Sequence, residues 1–315
     1  MSEQDVGVMR AVVSDETTPG RLRIGEVPRP TPGARECLVR VQATSLNRGE
    51  VKTALAAPSG WRPGWDWAGV VEEAAVDGSG SPVGARVVGL APFGAWSEFV
   101  AAPITMLAQI PDGVGLDLAA TLPVAALTAR AALTKAPRRA GRRVLVTGAS
   151  GGVGVFAIQL AALAEDRVTA AIRNPNHETL VRRLGASDVL IGETFADGDG
   201  PFDLVVESVG GETLGAALGR LAPGGACVVL GASAGAVTTF DVSKFRVGGT
   251  SLYGLVMQWE FQSEPPGVGL AALLNLLRQG KLEAIIERRA PMTDIAAVAQ
   301  DLMDRRFVGK AVLSW

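Results

Sequence analysis

The residues with the clearest chemical meaning lie between Arg143 and Gly154, which read Arg-Val-Leu-Val-Thr-Gly-Ala-Ser-Gly-Gly-Val-Gly and run into the apolar stretch 155–164. A buried strand, a glycine turn and an apolar helix make a cradle for a pyrophosphate, because orphan N–H groups and the positive end of the helix dipole both face it. Gly148, Ala149, Ser150, Gly151, Gly152, Val153 and Gly154 are therefore candidate cofactor-binding residues. In the G-x-G-x-x-G spacing of dinucleotide sites, Ala149 takes the first place, Gly151 the second and Gly154 the third. The first permits a tight turn, the second a close approach of backbone to phosphate, and the third close packing of helix on strand. The adenosine ribose is read about twenty residues further on, where an acid favours the free 2′-hydroxyl of NAD. Here that position holds Ala171-Ile172-Arg173-Asn174, with no acid. Arg173 can pair with a 2′-phosphate or be one more solvated loop charge; its position and the missing acid favour the phosphate, and hence NADPH.

The elements that must position these residues are legible from periodicity. From Arg143 onward the pattern predicts strands at 143–147, 167–172, 188–191, 203–208, 226–230 and 250–256. Helices are expected at 154–164, 176–184 and 212–221. Such alternation predicts an α/β doubly wound parallel sheet of Rossmann type, with ligands at the carboxyl ends of its strands. Ser208-Val209 and Gly231-Ala232 fall at two such ends and join the candidate cofactor contacts. Upstream, residues 8–13, 21–27, 37–44, 67–73, 85–90 and 96–101 read as short strands separated by Pro- and Gly-rich turns. They predict an all-β module of the partly open barrel kind. Alanine-rich helices follow at 116–120 and 121–133, and further helices are expected at 270–279 and 294–304 with a last strand at 311–315. The expected division is 1–114 for the β module, 115–256 for the cofactor domain, and 257–315 returning to the first module.

Composition narrows the partners. Thirty Lys and Arg among thirty-two Asp and Glu, with a net charge of -2, form no basic stripe, which argues against nucleic acid and anionic membrane. No apolar run reaches membrane-spanning length, and Met1-Ser2-Glu3-Gln4-Asp5 lacks an export signal. Cys37 and Cys227 are too few for a disulfide framework or a cysteine-built zinc site, so a cytoplasmic, reduced protein is expected. The single histidine, His177, excludes a His-rich metal site and reads as a surface helix residue.

The N-terminal β module, the Val144–Gly154 turn, Leu184-Gly185-Ala186 and Gly309-Lys310-Ala311-Val312-Leu313 together resemble the medium-chain dehydrogenase/reductase superfamily, and within it the zinc-independent quinone oxidoreductases. The resemblance spans essentially the whole chain and implies a GroES-like first domain. It also implies that Asn47 stands where zinc alcohol dehydrogenases place a metal-binding cysteine, and Trp65 where they place a histidine. No metal is therefore expected.

Without a Lewis acid, simple ketones lack their polarising group, whereas a quinone or a conjugated alkene needs less help. The resemblance implies catalytic roles for Asn47, as a carbonyl donor or cofactor contact, and for Trp65, facing an apolar and aromatic small-molecule substrate. Arg48 is a possible helper beside Asn47. Thr128 and Lys310 match cofactor-proximal positions of relatives, and Tyr253 lies where relatives hold the carboxamide and is the only phenol. The expected reaction is NADPH-dependent reduction of a quinone or of the C=C bond of an α,β-unsaturated ketone or aldehyde. An enoyl-thioester reductase and a non-catalytic NADPH-binding sensor are the alternatives. A homodimer is expected, pairing the strand near 250–257.

Overall fold

The computed structural model describes residues 7–192, 194, 195 and 199–315, so the acidic start Met1–Asp5 lies outside the described residues. The chain divides into two compact units, 1–127 with 264–315, and 128–263. The first limit lies beyond the expected 114/115, where the helix Leu116–Ala119 packs on the strands of the first unit, and the second lies beyond the expected 256/257. In addition, the Val124 amide donates to Asp66 Oδ1 at 2.9 Å. No helix among the described residues is long and apolar enough to cross a membrane.

In the first unit, a seven-stranded sheet runs in the order Ile286–Pro291, Lys310–Ser314, Glu36–Ser45, Asp66–Glu73, Arg86–Leu90, Leu107–Gln109, with Phe99–Pro103 also paired to Glu36–Ser45. Only the first two strands of this order are parallel. Val8–Ser14 and Leu22–Pro28 form a separate hairpin. The long strand changes partner along its length: residues 36–40 pair with 99–103, and 43–45 with 312–314. The sequence alternates through this strand, and Cys37, Val39 and Val41 are buried against Trp67, Val71 and Val87. Trp67 is fully buried, as its apolar neighbours lead one to expect. A second cluster packs Leu46, Val51 and Trp96 against Ile295 and Val298 of the helix Ile295–Met303.

The second unit is a six-stranded parallel sheet in the order Asp188–Ile191, Arg167–Ile172, Arg143–Thr147, Phe202–Glu207, Leu221–Val229, Ser251–Gly254. Numbered within the unit this is 3-2-1-4-5-6, the doubly wound Rossmann order. Val144, Leu145 and Val146 are fully buried, as a strand covered on both faces requires.

Several elements depart from expectation. The helix after Gly210 ends at Leu218, and the next strand begins at Leu221 rather than 226. Leu221 pairs with Phe202, and a register shift accommodates Pro223-Gly224-Gly225 within the strand. A helix at Arg48–Ala56 and a strand at Ile286–Pro291 were not anticipated; neither shows a long apolar period.

Candidate active and cofactor sites

In the first unit the sequence builds a polar knot inside an apolar shell. Asn47 is the N-cap of the Arg48–Ala56 helix, and Glu50 at the third helical position closes a capping box with it. The Asn47 amide N–H donates to Glu50 Oε1 at 2.6 Å, and its side-chain Nδ2 donates to Glu50 Oε1 at 3.0 Å and to Asp66 Oδ2 at 2.8 Å. The Trp65 N–H donates to Glu50 Oε2 at 2.6 Å. Asp66, at the head of its strand, also accepts from Ser45 Oγ at 2.7 Å. Lys310, at the head of the strand beside Glu36–Ser45, donates to Asn47 Oδ1 at 2.6 Å and Leu46 O at 2.8 Å, and lies 3.4 Å from Asp66 Oδ2.

Glu50, Asp66 and Lys310 are each at most 2% exposed. Two carboxyl groups thus face one ammonium with almost no water. Burial, and then the Asp66 charge, push the Glu50 carboxyl up to about 8, against an ordinary 4.5. Burial also pulls Lys310 below the usual lysine range, against the pull of Asp66 and Glu50.

The sign of the consequence follows by linkage. From about pH 4.5 to about pH 8, folded Glu50 holds a proton that the unfolded chain has released, so its contribution to stability is present at low pH and is lost as pH rises through about 8. Glu50→Gln should abolish that slope. In urea unfolding, wild-type stability relative to the variant should fall by on the order of 4 kcal/mol between pH 5 and pH 8.5. A constant difference across that range would mean that Glu50 is ionised throughout.

This geometry bears on two expected site residues. Both side-chain amide protons of Asn47 are engaged by carboxyl oxygens. Lys310 is turned into the knot and 2% exposed, with its ammonium on Leu46 O and Asn47 Oδ1. Trp65 is half-buried with its ring against Gly49, where a Cβ would come within 3.2 Å of it. Arg48 donates to Leu302 O and Met303 O, both at 3.0 Å, and so ties the helix to its neighbour.

In the second unit the glycine turn has the expected form. Gly148 has φ +57°, and a Cβ there would lie 2.6 Å from Ser208 Oγ. A Cβ on Gly154 would meet Gly148 O at 2.5 Å and the Ala149 backbone at 2.7 Å, which is the close helix-on-strand packing of the third position. Gly151 would meet only Gly148 O, at 3.1 Å, so its other side is open. The first helical bond beyond the turn runs from Val155 N to Gly151 O, which leaves the amides of Gly152, Val153 and Gly154 without carbonyls behind them. These residues fit a dinucleotide pyrophosphate.

Ser208 and Val209 follow the neighbouring strand, and Ser233 N and Ala234 N donate to their carbonyls at 3.3 and 2.7 Å; this brings Gly231 and Ala232 alongside. Glu207 holds that end in place, accepting from Thr147 Oγ1 at 3.0 Å, Val209 N at 2.8 Å and Gly210 N at 3.0 Å. Burial raises its carboxyl pKa. Arg173 is exposed just past the Arg167–Ile172 strand and has no partner among the described residues. His177 is half-buried, and its Nδ1 lies 3.0 Å from Ser150 Oγ of the glycine turn, a contact its surface reading did not foresee. Thr128 is buried in the helix Pro123–Leu133. Tyr253 sits on the edge strand, 38% exposed, and its hydroxyl donates to Glu260 Oε1 at 2.8 Å. Glu260 also binds Lys135 Nζ at 2.6 Å, and that ammonium lies 4.6 Å from the Tyr253 ring.

Sequence reasoning missed Glu50, Asp66, Glu207 and the bonded state of His177. The signal for Glu50 was present in Asn47-Arg48-Gly49-Glu50, the spacing of a capping box. Asp66 and His177 are brought to their partners by topology, as is Glu207 to Thr147.

Two family descriptions match the chain: an alcohol dehydrogenase GroES-like domain over residues 33–112 and a zinc-binding dehydrogenase over 184–313. The zinc in the second description does not fit the residues here, because Asn47 and Trp65 are poor ligands and the nearby carboxyl oxygens already bind amides and the Lys310 ammonium. A chloroplast envelope quinone oxidoreductase homolog of Arabidopsis thaliana is 30% identical, over 91% of this chain and 92% of its own. The spectinabilin polyketide synthase system protein NorB of Streptomyces orinoci is 33% identical over 88% of this chain, but that is 13% of NorB. Among solved structures, mycobacterial Rv1454c, complexed with NADPH, superposes with a TM-score of 0.86 at 27% identity, over 98% of this chain and 100% of that one. With the Rossmann strand order, the glycine turn and full-length similarity together, the chain belongs to the medium-chain dehydrogenase/reductase superfamily, among its quinone oxidoreductase-like members.

Proposed function

We propose that the chain is an NADPH-dependent reductase of quinones or of the C=C bond of α,β-unsaturated ketones and aldehydes. The observation that carries this reading is the knot itself. Where the resemblance puts the metal ligands of zinc relatives, Asn47 and Trp65 are bonded to Glu50 and Asp66, and the local cation is the chain's own Lys310 ammonium. A site of this kind offers a carbonyl no Lewis acid, which favours acceptors already activated by conjugation. NADPH is the cofactor, and when bound it supplies hydride from its nicotinamide.

The chain's residues bind and orient. Amides of Gly152, Val153 and Gly154 hold the pyrophosphate, and Arg173 takes the 2′-phosphate beside the Ser150–His177 pair. Glu50, Asp66 and Lys310 fix Asn47 and Trp65, and Glu260 with Lys135 fixes the Tyr253 phenol. The proton that completes the reduction, on oxygen for a quinone or on the α-carbon for an enone, comes from water. The exposed edge strand Ser251–Gly254, with Leu252 49% exposed, supports a homodimer formed by strand pairing.

The test is NADPH oxidation with a quinone, an enone and a crotonyl thioester, alongside titration of NADPH binding. Turnover at least tenfold faster with quinone or enone than with thioester is expected. Faster thioester turnover would support the enoyl-thioester reading that the NorB similarity favours, and binding without any turnover would leave a sensor.

A further inference from the structure

Arg62 is a half-buried guanidinium with no partner among the described residues. It lies in the stretch 61–65 that leads into the Asp66–Glu73 strand. Gly94 N donates to Arg62 O at 3.0 Å, Trp96 N to Pro63 O at 3.3 Å, Ala95 N to Gly64 O at 3.1 Å, and Ala91 N to Trp65 O at 2.8 Å. Residues 62–65 and 91–96 therefore lie side by side, which sets Arg62 and Trp65 along one ladder. The guanidinium lies along Gly94, where a Cβ would come 3.6 Å from Nη2. Nε of Arg62 is buried with no hydrogen-bond partner, and none of its other nitrogens has one among the described residues.

The Nε is buried and unpaired, while the outer nitrogens of the half-buried guanidinium are open to a ligand. The acids of the knot and of the loop after Val8–Ser14 are engaged elsewhere. Glu50 binds Asn47 and Trp65, Asp66 binds Ser45 and Asn47, Asp15 pairs with Arg23, and Glu16 with Arg21. Burial, with no carboxylate to offset it, holds the Arg62 guanidinium below the usual arginine range. Trp61, next in the chain, is 40% exposed and Phe93, next to Gly94, is 56% exposed. Their ring centroids are 5.8 Å apart at 46°, an apolar pair flanking Arg62 and Gly94 in the chain.

We propose that Arg62, Trp61 and Phe93 form an acceptor subsite that recognises a flat conjugated molecule carrying a carboxylate, with the ring against the aromatic pair and the carboxylate on the guanidinium. One guanidinium matches the planar, singly charged carboxylate in a two-point pair. The inference rests on the reductase reading for its acceptor class, and it narrows that class to anionic quinones or enones.

A matched pair of ligands tests it: 4-phenyl-3-buten-2-one and its 4′-carboxylate, titrated calorimetrically into the whole protein without cofactor and then assayed with NADPH. Wild type should bind the carboxylate at least tenfold more tightly than the neutral enone. Arg62→Met should erase that preference, and Arg62→Lys should restore part of it, as a charge without the planar fork would. In turnover, the Arg62→Met loss should appear in KM for the carboxylate far more than in kcat. Equal affinity for the two ligands in wild type, or a preference that survives Arg62→Met, would overturn the subsite. Because the titration needs no turnover, a retained binding preference with no reduction of either enone would refute the acceptor class while leaving the subsite in place.

Discussion

Lys310→Met is expected to cost the protein about 3–5 kcal/mol, the range seen when one member of a buried ion pair is removed. The side chain is 2% exposed, and its ammonium serves Leu46 O, Asn47 Oδ1 and Asp66 Oδ2 together. Methionine fills a similar volume but leaves two acceptors unanswered and Asp66 with no counter-charge. Asp66 is not stranded altogether, because Ser45 Oγ, Asn47 Nδ2 and the Val124 amide still donate to it. Adding Asp66→Asn should therefore recover at least about 1 kcal/mol of the loss by removing the uncompensated charge. Urea unfolding of the single and double variants measures both. A single-variant loss below about 1 kcal/mol would place the ammonium in effective contact with water and undo the reading of the knot as a dry, self-contained cation site.

The second large effect belongs to the glycine turn. Gly154→Ala sets a methyl 2.5 Å from Gly148 O and 2.7 Å from the backbone of Ala149, and neither neighbour is a side chain that can swing aside. The helix must then lift from the strand and carry the amides of Gly152 and Val153 with it. Overpacking of this kind costs about 1–3 kcal/mol in stability. NADPH binding, followed by the fluorescence of the reduced nicotinamide, should weaken at least about 100-fold, roughly 2.8 kcal/mol. Gly151→Ala is the informative contrast. Its methyl meets only Gly148 O, at 3.1 Å, so the fold should hold while binding is lost to a group standing where the phosphates approach. If Gly154→Ala bound NADPH as wild type does, close helix-on-strand packing would not be what places the pyrophosphate amides.

What the chain announces about itself is uneven for a physical reason. Strand and helix periods, the glycine turn and the strand ends at Ser208 and Gly231 are encoded by neighbours within a dozen residues, so the Rossmann unit reads directly. The capping box at Asn47 and Glu50 is also local, yet the short polar Arg48–Ala56 helix shows no apolar stripe to draw attention to it. The Lys310–Asp66 contact lies beyond any local rule, because 244 residues separate the partners. Asn47 illustrates the limit: its place near a functional position follows from resemblance, but two of the three groups that occupy its amide, Asp66 and Lys310, come from distant strands. His177 is similar, for its contact with Ser150 depends on where two successive strands end in space.

The long strand Glu36–Ser45, which leaves one partner halfway along and takes up the strand beginning at Lys310, has a consequence for biosynthesis. During synthesis on the ribosome, Glu50 and Asp66 emerge early, and their cation arrives only after the whole of 128–263 has been translated. The second unit is continuous in sequence and can close on its own meanwhile. The acids of the first must wait in water, and the nascent chain buries them only when the late strand docks, so translation order makes the knot the last part of its unit to form.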